Sequence, residues 1–392
     1  MRTVRTADSG LACVVVMVCF LVPVGCSPET GLGPPAEVDP LTGEPGEPIA
    51  DLTTTETEAF EAGKTAFETA YSADDGFGTP ALATSCVGCH GEPATGGTNG
   101  LTNFAFTSVS GTKTVGFRIG NALFGLGLFE RVSDNEILSR QDPTDVDGDG
   151  VSGRPNLEGD RVGRFGRKAQ AATLESITRG MLFNQMGLTS EPIDEASADA
   201  ASQRRGWLER IADALESFSF AQRAYAQAAP PATEGDPAGD DDAVADPEVS
   251  TDNLAALLAF MRNLAAPKRG EITDAVLRGE VLFETIGCAA CHTPTLTTED
   301  GDTIHPYSDL LIHYMGERSF DNIEVGVAEG TEFRTQPLWG LRNVPEFLHN
   351  ADANTIEGAI DGHAGEAEAS REAYDALEPD QQQDLLEFLN SL

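Results

Sequence analysis

Two short cysteine motifs constrain this 392-residue chain more than any other feature. Four of its seven cysteines form two copies of C-x-x-C-H, at 86–90 and 288–292. In this motif two thiols bond to the vinyl groups of a haem and the adjacent histidine ligates its iron. A redox dithiol does not need that histidine, and two separate zinc sites would lack further cysteines. Disulfides stay open as the alternative in an oxidising compartment. The pattern predicts two covalently attached c-type haems, held by Cys86, Cys89, Cys288 and Cys291, with His90 and His292 as iron ligands.

The charge balance limits the partners of the chain. Its 64 acidic and 25 basic residues give a net charge of -39. Nucleic-acid binding needs a basic face, so this class of function is excluded. A protein that docks by charge should itself present a basic face.

The first residues predict export. Arg2 and Arg5 precede an apolar run at 11–24, which is too short to span a bilayer and is typical of a secretory signal. We expect a signal peptide at 1–25 and a flexible Gly- and Pro-rich tether at 26–50. The pair Gly25-Cys26 resembles a lipoprotein processing site, although Pro23 departs from it, and cleavage without lipidation is the alternative. Either way we expect a location in the periplasm or cell envelope.

The chain contains an internal duplication. Segments 57–69 and 273–285 share six of 13 positions and have helical spacing of their apolar residues, and each precedes a haem motif. Segments 257–264 and 385–392 repeat in the same way and close each copy. We therefore predict a mainly α fold of two cytochrome c-like domains with long Gly-rich loops, at 51–266 and 267–392. An acidic stretch near 226–250 is predicted to be a disordered insert in the first domain.

Several stretches together resemble one protein family. The chain is similar to the bacterial di-haem cytochrome c peroxidase and MauG superfamily, closest to its di-haem oxidoreductase branch, over about 55–190 and 269–392. The resemblance implies a six-coordinate haem in the C-terminal domain that relays electrons from a small carrier protein. It also implies an N-terminal haem with an open position for peroxide. The matching stretches are SCVGCH at 85–90, GLGLFE at 125–130, DGDGVSGR at 147–154, GRFGRKA at 163–169, MGLT at 186–189, PYSDLLIH at 306–313, FRTQPLWGL at 333–341 and HAGE at 363–366.

The resemblance also suggests a sixth ligand for the C-terminal haem. Relatives often place a methionine in a helix that corresponds to 356–363, and here His363 stands at that place. Bis-histidine ligation would lower the reduction potential relative to His/Met ligation. Met315 and His313 are the rival ligands. His349 is expected either to bond a haem propionate or to be structural.

The open haem of this family needs an acid–base residue, and this chain lacks the expected carboxylate. Relatives often place a carboxylate directly before the methionine of the Met186-Gly187 pair, whereas this chain has Gln185. An amide can hydrogen-bond but cannot exchange a proton usefully near neutral pH. Glu130 could substitute as the acid, or it could be an ordinary helix-terminal residue. Trp339 is interpreted either as an electron-stepping residue between the haems or as a core tryptophan.

An acidic loop is a calcium candidate. Asp145, Asp147 and Asp149 occupy positions 1, 3 and 5 of an EF-hand-type loop, and Gly150 occupies position 6. Position 12 is Asn156 rather than Glu, and a solvated acidic turn is the alternative. The family resemblance suggests a second calcium near Thr335 and Pro337.

The leading hypothesis is an exported di-haem oxidoreductase that takes electrons from a basic donor protein and acts on a peroxide-like small substrate. The alternative is a di-haem electron-transfer protein without peroxidase activity, which Gln185 favours. A third hypothesis is modification of a protein side chain, as in MauG. His363 argues against it, because a tyrosine usually stands at that place there.

Overall fold

The computed structural model describes residues 39–77, 83–99, 102–109, 112–193, 244, 246–321 and 323–392. The predicted signal peptide, the first part of the tether and most of the acidic insert lie outside these ranges. Within the described residues no helix is both long and apolar enough to span a membrane. The described residues belong to one compact unit, and the division at 266–267 stays a prediction.

Helices dominate the described structure. Nine α-helices occur in these residues, and a single π-turn, Leu182–Met186, extends the fourth of them. This agrees with the predicted mainly α fold class. The helices are α1 (Thr54–Glu68), α2 (Leu126–Glu130), α3 (Asp134–Leu138), α4 (Leu174–Met181), α5 (Thr251–Asn263), α6 (Asp274–Thr285), α7 (Ile356–Asp361), α8 (Glu368–Asp375) and α9 (Pro379–Ser391).

The strands form only isolated pairs in the described residues. Each sheet has two strands, so the loops and not a continuous sheet connect the helices. The pairs are β1 (Thr42–Gly43) with β6 (Ala266–Pro267), which is parallel, and the antiparallel pairs β2 (Thr102–Val109) with β3 (Thr112–Ile119), β4 (Leu157–Glu158) with β5 (Arg161–Val162), β7 (Leu296–Thr297) with β8 (Thr303–Ile304), and β9 (Ile312–Tyr314) with β10 (Glu332–Arg334).

The duplicated segments fold into two equivalent helix pairs. Helix α1 packs on α5, and α6 packs on α9. In each pair a glycine of the repeat lies at the crossing. A Cβ atom at Gly63 would lie 2.0 Å from the carbonyl oxygen of Ala256, and one at Gly279 would lie 2.0 Å from that of Asp384. The two helix backbones are therefore in direct contact, and only glycine permits this approach.

Aromatic side chains fill the space beside each crossing. Phe260 of α5 lies between Phe60 and Phe67 of α1, with both pairs of ring centres 5.1 Å apart. In the second copy Phe283 of α6 packs against Phe388 of α9 at 5.2 Å. These phenylalanines are almost fully buried. They fix the helix that leads into each cysteine motif.

Candidate haem centres

Each cysteine motif begins with one turn of 3₁₀-helix, Cys86–Gly88 and Cys288–Ala290. The amide of His90 donates to the carbonyl of Cys86, and the amide of His292 donates to that of Cys288, both at 3.0 Å. The four described cysteines form no disulfide. Burial raises the pKa of the first thiol of each motif to about 12.

The two motif histidines are oriented by backbone carbonyls. Nδ1 of His90 lies 3.2 Å from the carbonyl oxygen of Gly97, and Nδ1 of His292 lies 2.9 Å from that of Tyr307. A carbonyl only accepts, so Nδ1 carries the proton and donates it, and Nε2 keeps its lone pair for a metal. Burial lowers the pKa of both histidines, to about 4 for His292. Both are therefore neutral, as ligation requires.

The surroundings of these histidines repeat between the copies. Phe67 of α1 lies 6.2 Å from the ring of His90, with the planes inclined at 54°. Phe283 of α6 lies 6.4 Å from the ring of His292, with the planes at 57°. The duplication thus extends from the sequence to the geometry of the histidine sites.

A cavity opens beside each histidine. The first cavity, beside His90, and the second cavity, beside His292, enclose about 1310 and 1900 Å³ with their open mouths. Each is bordered by both cysteines and the histidine of its motif. This donor set and this space fit a covalently held haem in each cavity.

The second cavity brings His292 and His363 together. Their ring centres are 6.4 Å apart, and Nδ1 of His363 lies 2.7 Å from the carbonyl oxygen of Ala359. A metal–imidazole bond is about 2 Å long and the nitrogen lies about 1.1 Å from its ring centre, so two imidazoles that face each other across one metal ion have centres about 6 Å apart. The observed spacing therefore matches a shared iron, although ligation by His363 stays a prediction.

His313, the rival ligand, has both ring nitrogens engaged. Nε2 lies 2.8 Å from a carboxylate oxygen of Asp309, and Nδ1 lies 2.9 Å from one of Glu366. Burial acts to lower its pKa, but these hydrogen bonds and one to Cys291 raise it well above its ordinary value. The ring is therefore a buried cation with no lone pair for iron. Met315, the other rival, lines the second cavity together with His363.

The first cavity differs in its ligands. Among the described residues that line it, His90 is the only histidine. Gln185 lies in the π-turn after α4, and its Oε1 atom is buried without a hydrogen-bond partner. π-turns often occur at functional sites. The predicted distal residue therefore does border the cavity, with a free acceptor atom. The methionines of this lining are Met181, Met186 and Met261.

Glu130 lies outside the lining of both cavities. Its Oε2 atom accepts a hydrogen bond of 2.6 Å from Nε of Arg262. Its Oε1 atom accepts one of 2.8 Å from the amide of Leu174, the first residue of α4. These contacts connect α2 to α4 and α5. They favour the structural interpretation of this residue, and its role as a proton donor stays a prediction.

Trp339 and His349 both line the second cavity. Trp339 also stacks on Phe129 of α2, with ring centres 5.0 Å apart and planes at 13°. His349 stacks on Phe333 of β10 at 4.4 Å. Burial, followed by the charge of Arg167, lowers the pKa of His349 to about 4. Its neutral ring can donate a hydrogen bond into the cavity.

The acidic loop has a different grouping from the predicted one. Carboxylate oxygens of Asp142, Asp145 and Asp147 lie within 4.8 Å of one another, and Asp149 is not in this group. The carboxylate of Asp149 instead accepts from the amide of Val151 at 2.8 Å. The side-chain amide of Asn156, at position 12, donates to backbone carbonyls and is fully buried. The loop thus lacks the EF-hand arrangement, and calcium binding stays a prediction.

Two arginines, the half-buried Arg167 and the buried Arg334, were given no role by the sequence analysis. Arg167 borders both cavities, and Arg334 borders the second. They lie within the stretches at 163–169 and 333–341 that carry the family resemblance. The feature that points to a function is the lack of a carboxylate partner, and this can be seen in the fold but not in the sequence.

Comparisons with known proteins identify one family and several similar structures. The model of the family described as "Di-haem oxidoreductase, putative peroxidase" matches residues 108–392. Among curated proteins, none shows a significant match to the chain. Hydrazine synthase of Kuenenia stuttgartiensis is 17% identical, with a TM-score of 0.42, and 92% of this chain and 100% of that chain are covered. A MauG-like protein associated with microbial copper homeostasis is 18% identical, with a TM-score of 0.42 and coverage of 91% and 94%. The diheme peroxidase BthA of Burkholderia thailandensis is 16% identical, with a TM-score of 0.45 and coverage of 90% and 89%.

Proposed function

The chain belongs to the di-haem oxidoreductase family, and from this premise we propose that it is an exported, peroxidase-like oxidoreductase with two covalently attached c-type haems. The membership confirms the resemblance inferred from the sequence. The observation that carries the proposal is the asymmetry of the two cavities. The second cavity contains the paired rings of His292 and His363, whereas His90 is the only histidine among the described residues that line the first.

The second cavity is suited to electron relay. When bound, the haems supply reversible one-electron chemistry at iron. His292 and His363 are both neutral and both fixed by a backbone carbonyl, so they can hold the same positions in either oxidation state. Little reorganisation is then needed when the charge changes. We assign the relay role to this cavity and its two histidines.

The first cavity is suited to a small ligand. His90 supplies one axial nitrogen, and Gln185 presents a buried amide oxygen with no partner. That oxygen can accept a hydrogen bond from a peroxide and orient it. It cannot take up the proton, because an amide does not titrate near neutral pH. The proton must therefore move through water or another group, and we expect slower peroxide turnover than a distal carboxylate would give.

A second candidate is a di-haem electron carrier without peroxidase activity. Met181, Met186 and Met261 line the first cavity, and a thioether can serve as an axial ligand of a c-type haem. If one of them occupied the sixth position, the first haem would be closed to peroxide. This observation makes the coordination state of the first haem the deciding question.

Electron paramagnetic resonance of the purified holo-protein decides between the two. The spectrum is recorded on the fully oxidised and the half-reduced protein, with haem content measured by absorbance. We expect two haems per chain, one low-spin and one high-spin or converted on half-reduction, together with peroxide-dependent oxidation of the reduced protein. Two low-spin haems in both states, with no reaction towards peroxide, would support the carrier instead.

Export and partner choice complete the proposal. The apolar run at 11–24 and the cysteine at 26 support transfer to the periplasm or cell envelope, with lipid attachment as one outcome. The net charge of -39 supports an electron donor with a basic face. Cell fractionation of the full chain and of Cys26→Ser tests the anchor. Release of the variant alone into the soluble periplasmic fraction is the result expected of a lipoprotein.

A further inference from the structure

The two cavities share one wall, and this wall carries buried positive charge. Arg167 borders both cavities, as do the backbone segments around Ile119, Gly120 and Asn121. Arg118 borders the first cavity, and Arg334 borders the second. In a chain with 64 acidic residues, a cluster of buried cations needs an explanation.

One carboxylate, that of Asp321, pairs with two cations of this cluster. Asp321 accepts a hydrogen bond of 3.0 Å from Nε of Arg118, and Nζ of Lys168 lies 3.3 Å from its other oxygen. Both side-chain partners of Asp321 are almost fully buried, as is the carboxylate itself. Its charge is therefore already shared between two cations, and it cannot neutralise a third.

Arg167 and Arg334 have no carboxylate partner within 4 Å among the described residues. Nη2 of Arg167 donates to the carbonyl of Ile119 at 3.0 Å. Arg334 donates to the carbonyl of Arg164 at 2.6 Å and to the side-chain oxygen of Gln336 at 3.0 Å. The Nε atom of each is buried and lacks a hydrogen-bond partner. Both guanidinium groups thus keep a donor and a full charge unsatisfied.

An uncompensated buried cation is costly. Burial and the nearby cations Arg118 and Arg334 lower the pKa of Arg167 to about 9, and burial lowers that of Arg334 to about 10. A guanidinium without a carboxylate partner is stabilised by an anion with two acceptor oxygens, which matches its fork of donors. Because no carboxylate of the described residues lies within 4 Å of either guanidinium, a bound anion can supply the missing charge.

We propose that Arg167 is the shared anion-binding residue of the two cavities, taking a carboxylate of the haem in each, and that Arg334 takes a carboxylate in the second cavity alone. This rests on the proposed function, in which both cavities hold a haem, a group with two propionate carboxylates. Because Arg167 borders both cavities, a change of charge at one haem should alter the midpoint potential of the other.

Redox titration of the holo-protein tests the assignment. A cation beside a haem favours the ferrous form, which carries one positive charge less, so its removal lowers the midpoint potential. Arg167→Gln should lower both potentials, each by at least a tenfold change in the reduction equilibrium constant, or about 59 mV. Arg334→Gln should lower that of the second haem only. Arg161→Gln, which removes an exposed cation bordering neither cavity, is the matched control and should move neither.

Further variants and conditions separate the other outcomes. Arg167→Lys keeps the positive charge, so both midpoint potentials should stay close to those of the wild-type protein. If Arg167 acted only through packing, the Lys variant would shift the potentials as far as the Gln variant does. If Arg167→Gln is not recovered as a folded protein, the midpoint potentials of Arg167→Lys and Arg334→Gln test the proposal instead. A shift of one potential or of neither in Arg167→Gln would overturn the shared role.

The anion could also come from solution, and the same titration distinguishes this source. Sodium acetate or inorganic phosphate is added to the wild-type protein at constant ionic strength. Unchanged potentials are expected of an internal carboxylate, and potentials that follow the added anion would overturn the assignment to haem. Haem content is measured throughout. Fewer than two haems per chain would contradict the proposed function itself, whereas two haems with unmoved potentials would contradict only the role of Arg167.

Discussion

His292 and His363 lie with their ring centres 6.4 Å apart and their planes inclined at 50°. The first is the last residue of a cysteine motif and the second follows α7, so 70 residues of chain lie between two rings that border one cavity. Each has its Nδ1 atom bound to a backbone carbonyl. The protein thus fixes the tautomer of both imidazoles, and this arrangement leaves Nε2 of each as the nitrogen available to a metal.

Replacement of His363 by alanine should open the second haem. We expect the low-spin signal of this haem to be lost and its reduction potential to change, because one of its two nitrogen ligands is removed. Electron paramagnetic resonance of the oxidised variant measures this. His305→Ala is the control, since His305 is exposed and outside both cavities. An unchanged low-spin spectrum in His363→Ala would show that another residue is the sixth ligand, with Met315 as the first candidate.

Gln185→Glu should raise the rate of peroxide turnover. The carboxylate can take up and return a proton where the amide cannot, and a positioned acid–base group is worth roughly 10²–10⁴-fold in rate. We expect at least a tenfold rise in kcat/KM for hydrogen peroxide, measured with a reduced donor in excess. Asn184→Asp adds the same charge one residue earlier, outside the cavity lining, and serves as the control. Equal rates in wild type and Gln185→Glu would contradict the distal role of this position.

The sequence predicted the parts of the fold and site that depend on local spacing. The C-x-x-C-H motifs, the helices that precede them and the closing helices all appear where the repeats indicated. His363 could be chosen through the family resemblance. His313 could not be excluded from sequence, because its two partners, Asp309 and Glu366, stand four and 53 residues away. Only the fold brings both carboxylates to one ring.

The acidic loop shows the same limit. Spacing selected Asp145, Asp147 and Asp149, but the loop bends so that Asp142 joins the first two. The cause is a local hydrogen bond, since a carboxylate oxygen of Asp142 accepts from the amide of Val146 at 2.7 Å. Such side-chain–backbone bonds compete with a regular ligand pattern and are not visible in residue spacing.

Glu366→Gln should destabilise the protein by about 3 kcal/mol, because breaking a buried ion pair leaves the remaining charge uncompensated. The carboxylate of Glu366 contacts the buried His313 ring and also accepts from the amide and hydroxyl of Ser152, both at 2.8 Å. Urea unfolding at neutral pH measures the loss. Glu317→Gln, an exposed site, should change the free energy of unfolding by less than about 0.5 kcal/mol. Similar values for both variants would show that the His313 contact contributes little.

The same carboxylate predicts a loss of stability in acid. Burial acts to raise the pKa of Glu366, but hydrogen bonds from His313 and Ser152 lower it from 4.5 to about 2. A group with a lowered folded-state pKa contributes stability above its unfolded value, and this is lost as the pH falls. Wild-type stability should therefore decline between pH 4.5 and 2 more steeply than that of Glu366→Gln. Parallel curves for the two proteins, measured by thermal unfolding across this range, would contradict the assignment.

The glycines at the two helix crossings predict a paired effect on folding. Gly63→Ala and Gly279→Ala each place a Cβ atom 2.0 Å from a backbone carbonyl oxygen of the facing helix, which cannot rotate away as a side chain can. Alanine favours a helix by about 1 kcal/mol over glycine, whereas overpacking costs about 1–3 kcal/mol or more. We expect the contact to outweigh the propensity, with a net loss of about 2 kcal/mol in the free energy of unfolding for each variant.

Urea unfolding of the two glycine variants beside Glu284→Ala tests this expectation. Glu284 is an exposed residue of α6, and its replacement should change the free energy of unfolding by less than about 0.5 kcal/mol. A stabilised Gly63→Ala or Gly279→Ala would show that the helix axes can separate without penalty. Equal losses in both would show that the duplicated halves depend on the same backbone contact. Each haem motif would then be positioned by a crossing that tolerates no side chain.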